Sequence, residues 1–149
     1  MAIAPNVTFV SGAVYTAAQA NAFGFGIVAL ASVSSNYGPT STASDFASVT
    51  FTAIANRYYK YSLIVPGADS DASRTLTISL VNSANTAVNS GSQTLRGPGL
   101  LDLLSFTTIR TETAGSLTRK IRMVMSGGNA SMCNANSIGY FLVEDIGPA

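Results

Sequence analysis

Histidine is absent from all 149 residues of the chain. That absence removes the usual general base, the commonest transition-metal ligand and the simplest pH switch. One cysteine, Cys133, allows no intrachain disulfide and no cysteine-based metal cluster. Charge is scarce as well: 10% of residues are Asp, Glu, Lys or Arg, against about 25% in ordinary soluble domains. Seven acids and eight bases are thin cover for a folded monomer of this mass, which exposes on the order of 7,000 Å². A surface coated with Ser, Thr, Asn and Gly is expected, much of it buried between subunits of a homo-oligomer.

The net charge of +1 argues against a nucleic-acid partner. The densest basic cluster is Arg119, Lys120 and Arg122. On an extended strand Arg119 points away from the other two, so the three read as solvated charges or interfacial salt bridges. No run of about 20 apolar residues is present, so no membrane insertion is expected. The opening MAIAPNVTFV also lacks the basic region and apolar core of a secretory signal.

Catalytic constellations fare no better. Without histidine, and with Cys133 set between small polar residues, serine and cysteine triads are excluded. Glu144 and Asp145 are adjacent and point to opposite faces of a strand, so they cannot flank one glycosidic bond. Asp69 and Asp71 open like a calcium loop, but no later glutamate completes it, and a solvated turn is the simpler reading. The expectation is no enzyme, no cofactor and no metal.

What the chain does contain begins with Thr8–Val33. Thr16 and Gln19 form a Thr-x-x-Gln capping box, each side chain serving the other residue's amide. Ala17, Ala18, Ala20 and Ala22 favour helix and Gly24 stops it. The predicted helix has about two turns, too short to stand alone in water. It needs a surface to lie on, and Phe9, Tyr15, Phe23 and Phe25 offer the apolar contacts. Two readings stay open: an arm packed on its own domain, or one clasping a neighbouring subunit. Residues 1–25 are thus an arm and residues 26–149 a β-domain.

In that domain Gly26–Ser34 is a continuous apolar strand that suggests burial on both faces. Ser34–Ser44 is a loop broken at Gly38-Pro39. Strands follow at Ser48–Ala55, at Tyr58–Val65 after an Asn56-Arg57 turn, and at Arg74–Asn82 after the acidic loop Pro66–Ser73. A weak strand is predicted around Thr86–Asn89. Leu100–Thr111 has a leucine-rich start compatible with helix, but its β formers favour strand. Leu117–Ser126 and Ser137–Glu144 alternate, and Ala130–Asn134 pairs briefly. Eight or nine strands with turns every 8–14 residues or so signal an all-β sandwich or jelly roll. Tyr58, Tyr59 and Tyr61, three tyrosines in four positions, are a candidate platform for stacking on sugar rings, with Tyr37 and Tyr58 the candidate ligand-facing aromatics; the alternative is tyrosines that bury their bodies at a core edge or interface.

Two stretches together carry a resemblance: F-V-x-G-x-V-Y-T-A-A-Q-x-N-A at Phe9–Ala22, leading to a strand at Val28, and FLVEDIGP at Phe141–Pro148. The pair resembles small virion proteins of tailed bacteriophages that infect actinobacteria, described as minor tail, fibre or decoration components. One departure is Ala20, where methionine is frequent in the family. The resemblance implies a trimeric jelly roll of the complement/tumour-necrosis-factor type, anchored to tail or capsid proteins through the arm and assembled in the host cytoplasm. So short a lead implies a knob rather than a long shaft. Capsid decoration or head fibre is the alternative placement, and a host-glycan adhesin the alternative role.

Overall fold

Alternation of period two runs through residues 26–149, the part of the chain that the computed structural model describes. The arm, with Phe9, Tyr15, Thr16, Gln19, Phe23 and Phe25, lies outside the described residues. The strands are β1 (Gly26–Val33), β2 (Ser44–Ala53), β3 (Arg57–Ser70), β4 (Arg74–Asn82), β5 (Ala87–Leu95), β6 (Asp102–Thr111), β7 (Gly115–Met125), β8 (Ala130–Ser131) and β9 (Gly139–Pro148). They pair antiparallel in two sheets ordered β1-β9-β3-β6 and β2-β7-β4-β5, with β8 on the end of β3. Apart from the short β8, successive strands change sheet except at the β4–β5 hairpin, which is the jelly-roll winding. The protein is an all-β jelly-roll sandwich.

The core lies between the sheets. From the first sheet Tyr59, Tyr61, Leu63, Val65, Phe141 and Val143 point inward, and from the second Phe51, Leu76, Ile78, Leu80, Ile121 and Met123. All twelve come from the inward half of an alternating strand, so one choice of register buries them together. Gly139 is a packing requirement. A Cβ there would stand 2.6 Å from Phe46 and 2.8 Å from the Cys133 sulfur, so nothing larger than glycine fits without displacing both.

Several boundaries differ from the sequence reading. The proposed loop Pro66–Ser73 is mostly strand: β3 runs to Ser70, with a bulge between Val65 and Ala68 that absorbs Pro66 and Gly67. Gly67 has φ 77°, a conformation that suits glycine. Proline is tolerated at such a bulge because its missing donor interrupts no regular ladder. The weak strand near Thr86 is the nine-residue β5, whose Ser, Thr and Gly content hides it. β6 is strand from its first residue, its leucines split between the faces rather than gathered on one helical stripe. β9 continues through Pro148, and the turn before β3 is Ala55-Asn56, with Asn56 at φ 58°. β1 is not buried on both faces among the described residues. Ala29, Ala31 and Val33 pack against the core, while Ile27 and Leu30 are exposed on an edge strand.

Arg119 also corrects its sequence reading, since it is a buried charge rather than a solvated one. The inward alternation that buries Ile121 and Met123 carries Arg119 with them. Glu112 receives it through two bonds of 3.1 and 2.5 Å, accepts the Tyr61 hydroxyl at 2.6 Å and pairs with Arg110 at 3.1 Å. Arg57 and Asp145 form a second buried pair at 2.7 Å. Removing one partner of such a pair strands the other charge in a low dielectric. Glu112→Ala is therefore expected to destabilise the sandwich by about 3–5 kcal/mol in equilibrium urea unfolding, and a loss under 1 kcal/mol or so would mean that Arg119 finds solvent instead.

Candidate functional site

Antiparallel winding sorts the connections into two ends. The segments 54–56, 83–86 and 112–114 lie at one end, together with Gly26 and Ala149. At the other lie 34–43, 71–73, 96–101 and the long stretch 126–138. The chain thus enters the sandwich opposite its longest loops.

Those loops are tied down by their own polar groups. The Tyr37 hydroxyl lies 2.6 Å from Ser44 Oγ and donates to the Ser44 carbonyl at 3.0 Å, and its ring meets Phe46 edge-on at 5.1 Å. Burial pushes the Tyr37 phenol up, an effect the bond with Ser44 partly offsets. Tyr37 also bridges to Met132 through backbone pairing, joining the first loop to the last. Asp69 accepts the amide of Gly99 at 3.0 Å. Asp71 accepts the amide of Asn129 at 3.2 Å and lies 3.5 Å from Arg74. The two aspartates therefore serve as internal clasps between loops. Asp102 closes the next loop by accepting the Arg96 amide at 2.9 Å and its Nε at 2.7 Å. That backbone donor first, then the guanidinium, holds the Asp102 carboxyl below the usual aspartate range. Cys133 is buried, its thiol pushed up by desolvation and partly restrained by the Gly139 amide.

Tyr58 sits at the other end, at the start of β3, with its ring exposed. Tyr37 and Tyr58 consequently do not share a site. Tyr59 and Tyr61 point into the core, so the tyrosine run forms no platform. Glu144 faces outward, 2.8 Å from Lys60, while Asp145 faces inward to Arg57; the adjacent carboxylates diverge as strand geometry demands.

The surface that stands out is one whole side of the sandwich. On the outer face of the β1-β9-β3-β6 sheet, Ile27 and Leu30 from β1, Tyr140 and Ile146 from β9, Tyr58 and Ile64 from β3, and Leu103 and Ile109 from β6 are all exposed. Leu30 is in register with Leu142, and Ile64 with both Tyr140 and Ser105. Ser62 lies at the centre of this face. It is 7% exposed, and its Oγ has no hydrogen-bond partner among the described residues.

The outer face of β2-β7-β4-β5 is different in kind. Hydroxyls pair across strands as Thr50–Thr118, Thr77–Ser92 and Ser79–Ser90, at 2.9, 3.3 and 3.0 Å. Asp45 links Lys120 and Arg122 at 2.8 and 2.9 Å. A shallow depression of about 160 Å³ beside Arg122, Val81 and Asn85 offers no cluster of titratable groups. All eight lysines and arginines of the chain stand in ion pairs. The apolar face was within reach of sequence reasoning, because β3 and β9 carry large apolar residues on both of their alternating faces.

No protein-family profile matches the chain, and no curated protein matches its sequence. Among solved structures, the Gx strain of infectious bursal disease virus is similar at 17% identity and a TM-score of 0.46, over 79% of this chain and 32% of that one. The EclA C-terminal domain, a sugar-binding protein, is similar at 10% identity and a TM-score of 0.44, over 74% of this chain and 78% of that one. Tailspike protein 4 of bacteriophage CBA120 is similar at 14% identity and a TM-score of 0.33, over 80% of this chain and 19% of that one. The chain spans 38% of the infectious bursal disease virus VP2 chain that it also matches.

Asp102 and Tyr61 have opposite pH signatures. Asp102 has its folded pKa depressed, so its contribution is present above the unfolded value of about 3.9 and lost as pH falls through the folded one. The stability difference between wild type and Asp102→Asn should therefore be flat near neutrality and shrink in acid, as read by urea unfolding at a series of pH values. Tyr61 has its pKa raised, first by burial and then by its bond to the Glu112 carboxylate. Its contribution is present below the unfolded tyrosine value of about 10 and declines above it. Phenolate absorbance should show a late component that emerges only with alkaline unfolding, and Tyr61→Phe should reduce it.

Proposed function

We propose that this protein is a structural component of a bacteriophage particle, a homotrimeric jelly-roll knob held to the tail or its tip through residues 1–25, its loop end turned toward the host. The observation that carries the reading is the polarity of the sandwich: the chain enters at Gly26 on one end, and the three longest connections, 34–43, 96–101 and 126–138, gather at the other. An anchored knob needs its tether and its outward surface on opposite sides. The paired end motifs at Phe9–Ala22 and Phe141–Pro148 supply the virion setting. Sparse charge and one apolar sheet face fit a protein that works buried among others.

Capsid decoration is the alternative placement, since polarity of this kind serves a head as well as a tail. Host-surface adhesion through glycans is compatible with either, and would use the loop end, where Tyr37 and the segment around Asp69 lie, rather than any joint Tyr37–Tyr58 platform. No catalytic role is proposed.

Light scattering coupled to size exclusion is expected to return a mass near three chains, and a monomer across the micromolar range would overturn the trimer. Deleting residues 2–25 should abolish incorporation into particles while leaving soluble trimers. Normal incorporation of that variant would remove the anchoring role.

A further inference from the structure

We infer that the outer face of the β1-β9-β3-β6 sheet is the seat of the chain's own N-terminal segment, residues 1–25, laid across it as a third layer. The two outer faces of the sandwich are finished differently. One is closed by hydroxyl ladders and by Asp45 with its two bases. The other exposes large apolar side chains, with Leu30 in register with the half-buried Leu142 and Ile64 in register with Tyr140. Among the described residues, no large exposed apolar side chain lies on the outer face of β2-β7-β4-β5. A covering layer is called for on one face only.

Chain continuity selects the occupant. Residues 1–25 end at Gly26, the first residue of β1, which is an edge strand of this very sheet. Gly26 has φ 71° and open space around it. Glycine alone takes that geometry freely, so the backbone can change direction there and turn back over the sheet. Ile27, the next residue, is already on the outer face, in register with Glu144.

The chemistry matches. All fifteen charged residues of the chain lie beyond Gly26, so residues 1–25 carry no Asp, Glu, Lys or Arg. They do carry Val7, Phe9, Val10, Val14, Tyr15, Phe23 and Phe25. The charges at the middle of the face, Lys60 and Glu144, neutralise each other at 2.8 Å. Ser62 Oγ, buried and without a partner at the centre, is where a polar group of the segment would bond.

Size argues against a second sandwich on this face. Four strands about 4.8 Å apart and about ten residues long at about 3.3 Å each present on the order of 600 Å². That is below the roughly 800 Å² that one partner contributes to a standard interface. Twenty-five residues, reaching about 80 Å when extended, are ample to cover it. The inference holds whether or not the sandwich trimerises, and under the proposed function the particle would meet this layer rather than a free tail.

The test keeps the full chain. A cysteine is placed on the face as Ile64→Cys, with Leu30→Cys as a second probe should the first fail to fold. Ser48→Cys on the opposite sheet is the open reference, and the parent protein, with Cys133 buried, is the blank. Against a water-soluble maleimide, Ile64→Cys should react about tenfold or more slowly than Ser48→Cys, at a rate independent of protein dilution. Adding Phe9→Asp and Phe23→Asp to the same chain should bring it up to the reference rate. Fast reaction in the otherwise unaltered chain means a bare face and overturns the inference. Slow reaction that depends on dilution and ignores the two aspartates means a second copy, and overturns it too. Light scattering on the same samples counts the copies separately, so failure of the trimer and failure of the third layer read out differently.

Discussion

The fold is registered to β3. This strand pairs with β9 on one side, β6 on the other and β8 at its far end. Tyr59, Tyr61, Leu63 and Val65 from its inner face are among the most deeply buried side chains in the protein. Strand geometry then leaves no freedom about the other face: Tyr58, Lys60, Ser62 and Ile64 must point outward. A slip of one residue would bury Lys60 and expose two tyrosines. The core and the apolar outer surface are therefore two consequences of a single alignment.

Scarce charge is placed with the same economy. Arg57 with Asp145, and Arg119 with Glu112 and Tyr61, seal the end where the chain enters. Arg96 with Asp102, and Arg74 with Asp71, hold loops at the far end. Each of these four pairs joins segments apart in sequence or fixes a turn, and only Lys60 with Glu144 and Asp45 with Lys120 and Arg122 stand on the outer faces. The burden of solubility falls on the Ser and Thr ladders of the β2-β7-β4-β5 sheet. The opposite sheet has no such ladder on its outside, and its chemistry is that of a surface awaiting cover.

Legibility followed local pattern. Arg74–Asn82 and Leu117–Ser126 declare themselves through strict alternation, and both are strands with the predicted residues inward. β5 does not, because its inward positions include Gly91 and Val88 among serines and threonines, and it is held as a strand by β4 rather than by its own propensity. Pro66-Gly67 reads locally as a break, yet a bulge lets β3 pass through it. Arg119 looks like a surface charge until Glu112, from the other side of a turn, is brought against it. Tyr37 looks free until Ser44 captures its hydroxyl.

By itself the sequence determined the class of the fold, the inward residues of its clearest strands and the lack of histidine and of a second cysteine, because these depend on spacing along the chain and on which residue types exist at all. Tertiary structure alone decided which strands share a sheet, which charges are buried, that Tyr37 and Tyr58 lie at opposite ends, and that the large exposed apolar residues of four strands gather on one outer face around the Lys60–Glu144 pair. Those are properties of residues far apart in sequence. Leu30, Tyr140, Ile64 and Ile109 are each an ordinary exposed apolar residue in its own strand, and become a surface only when four strands are laid side by side.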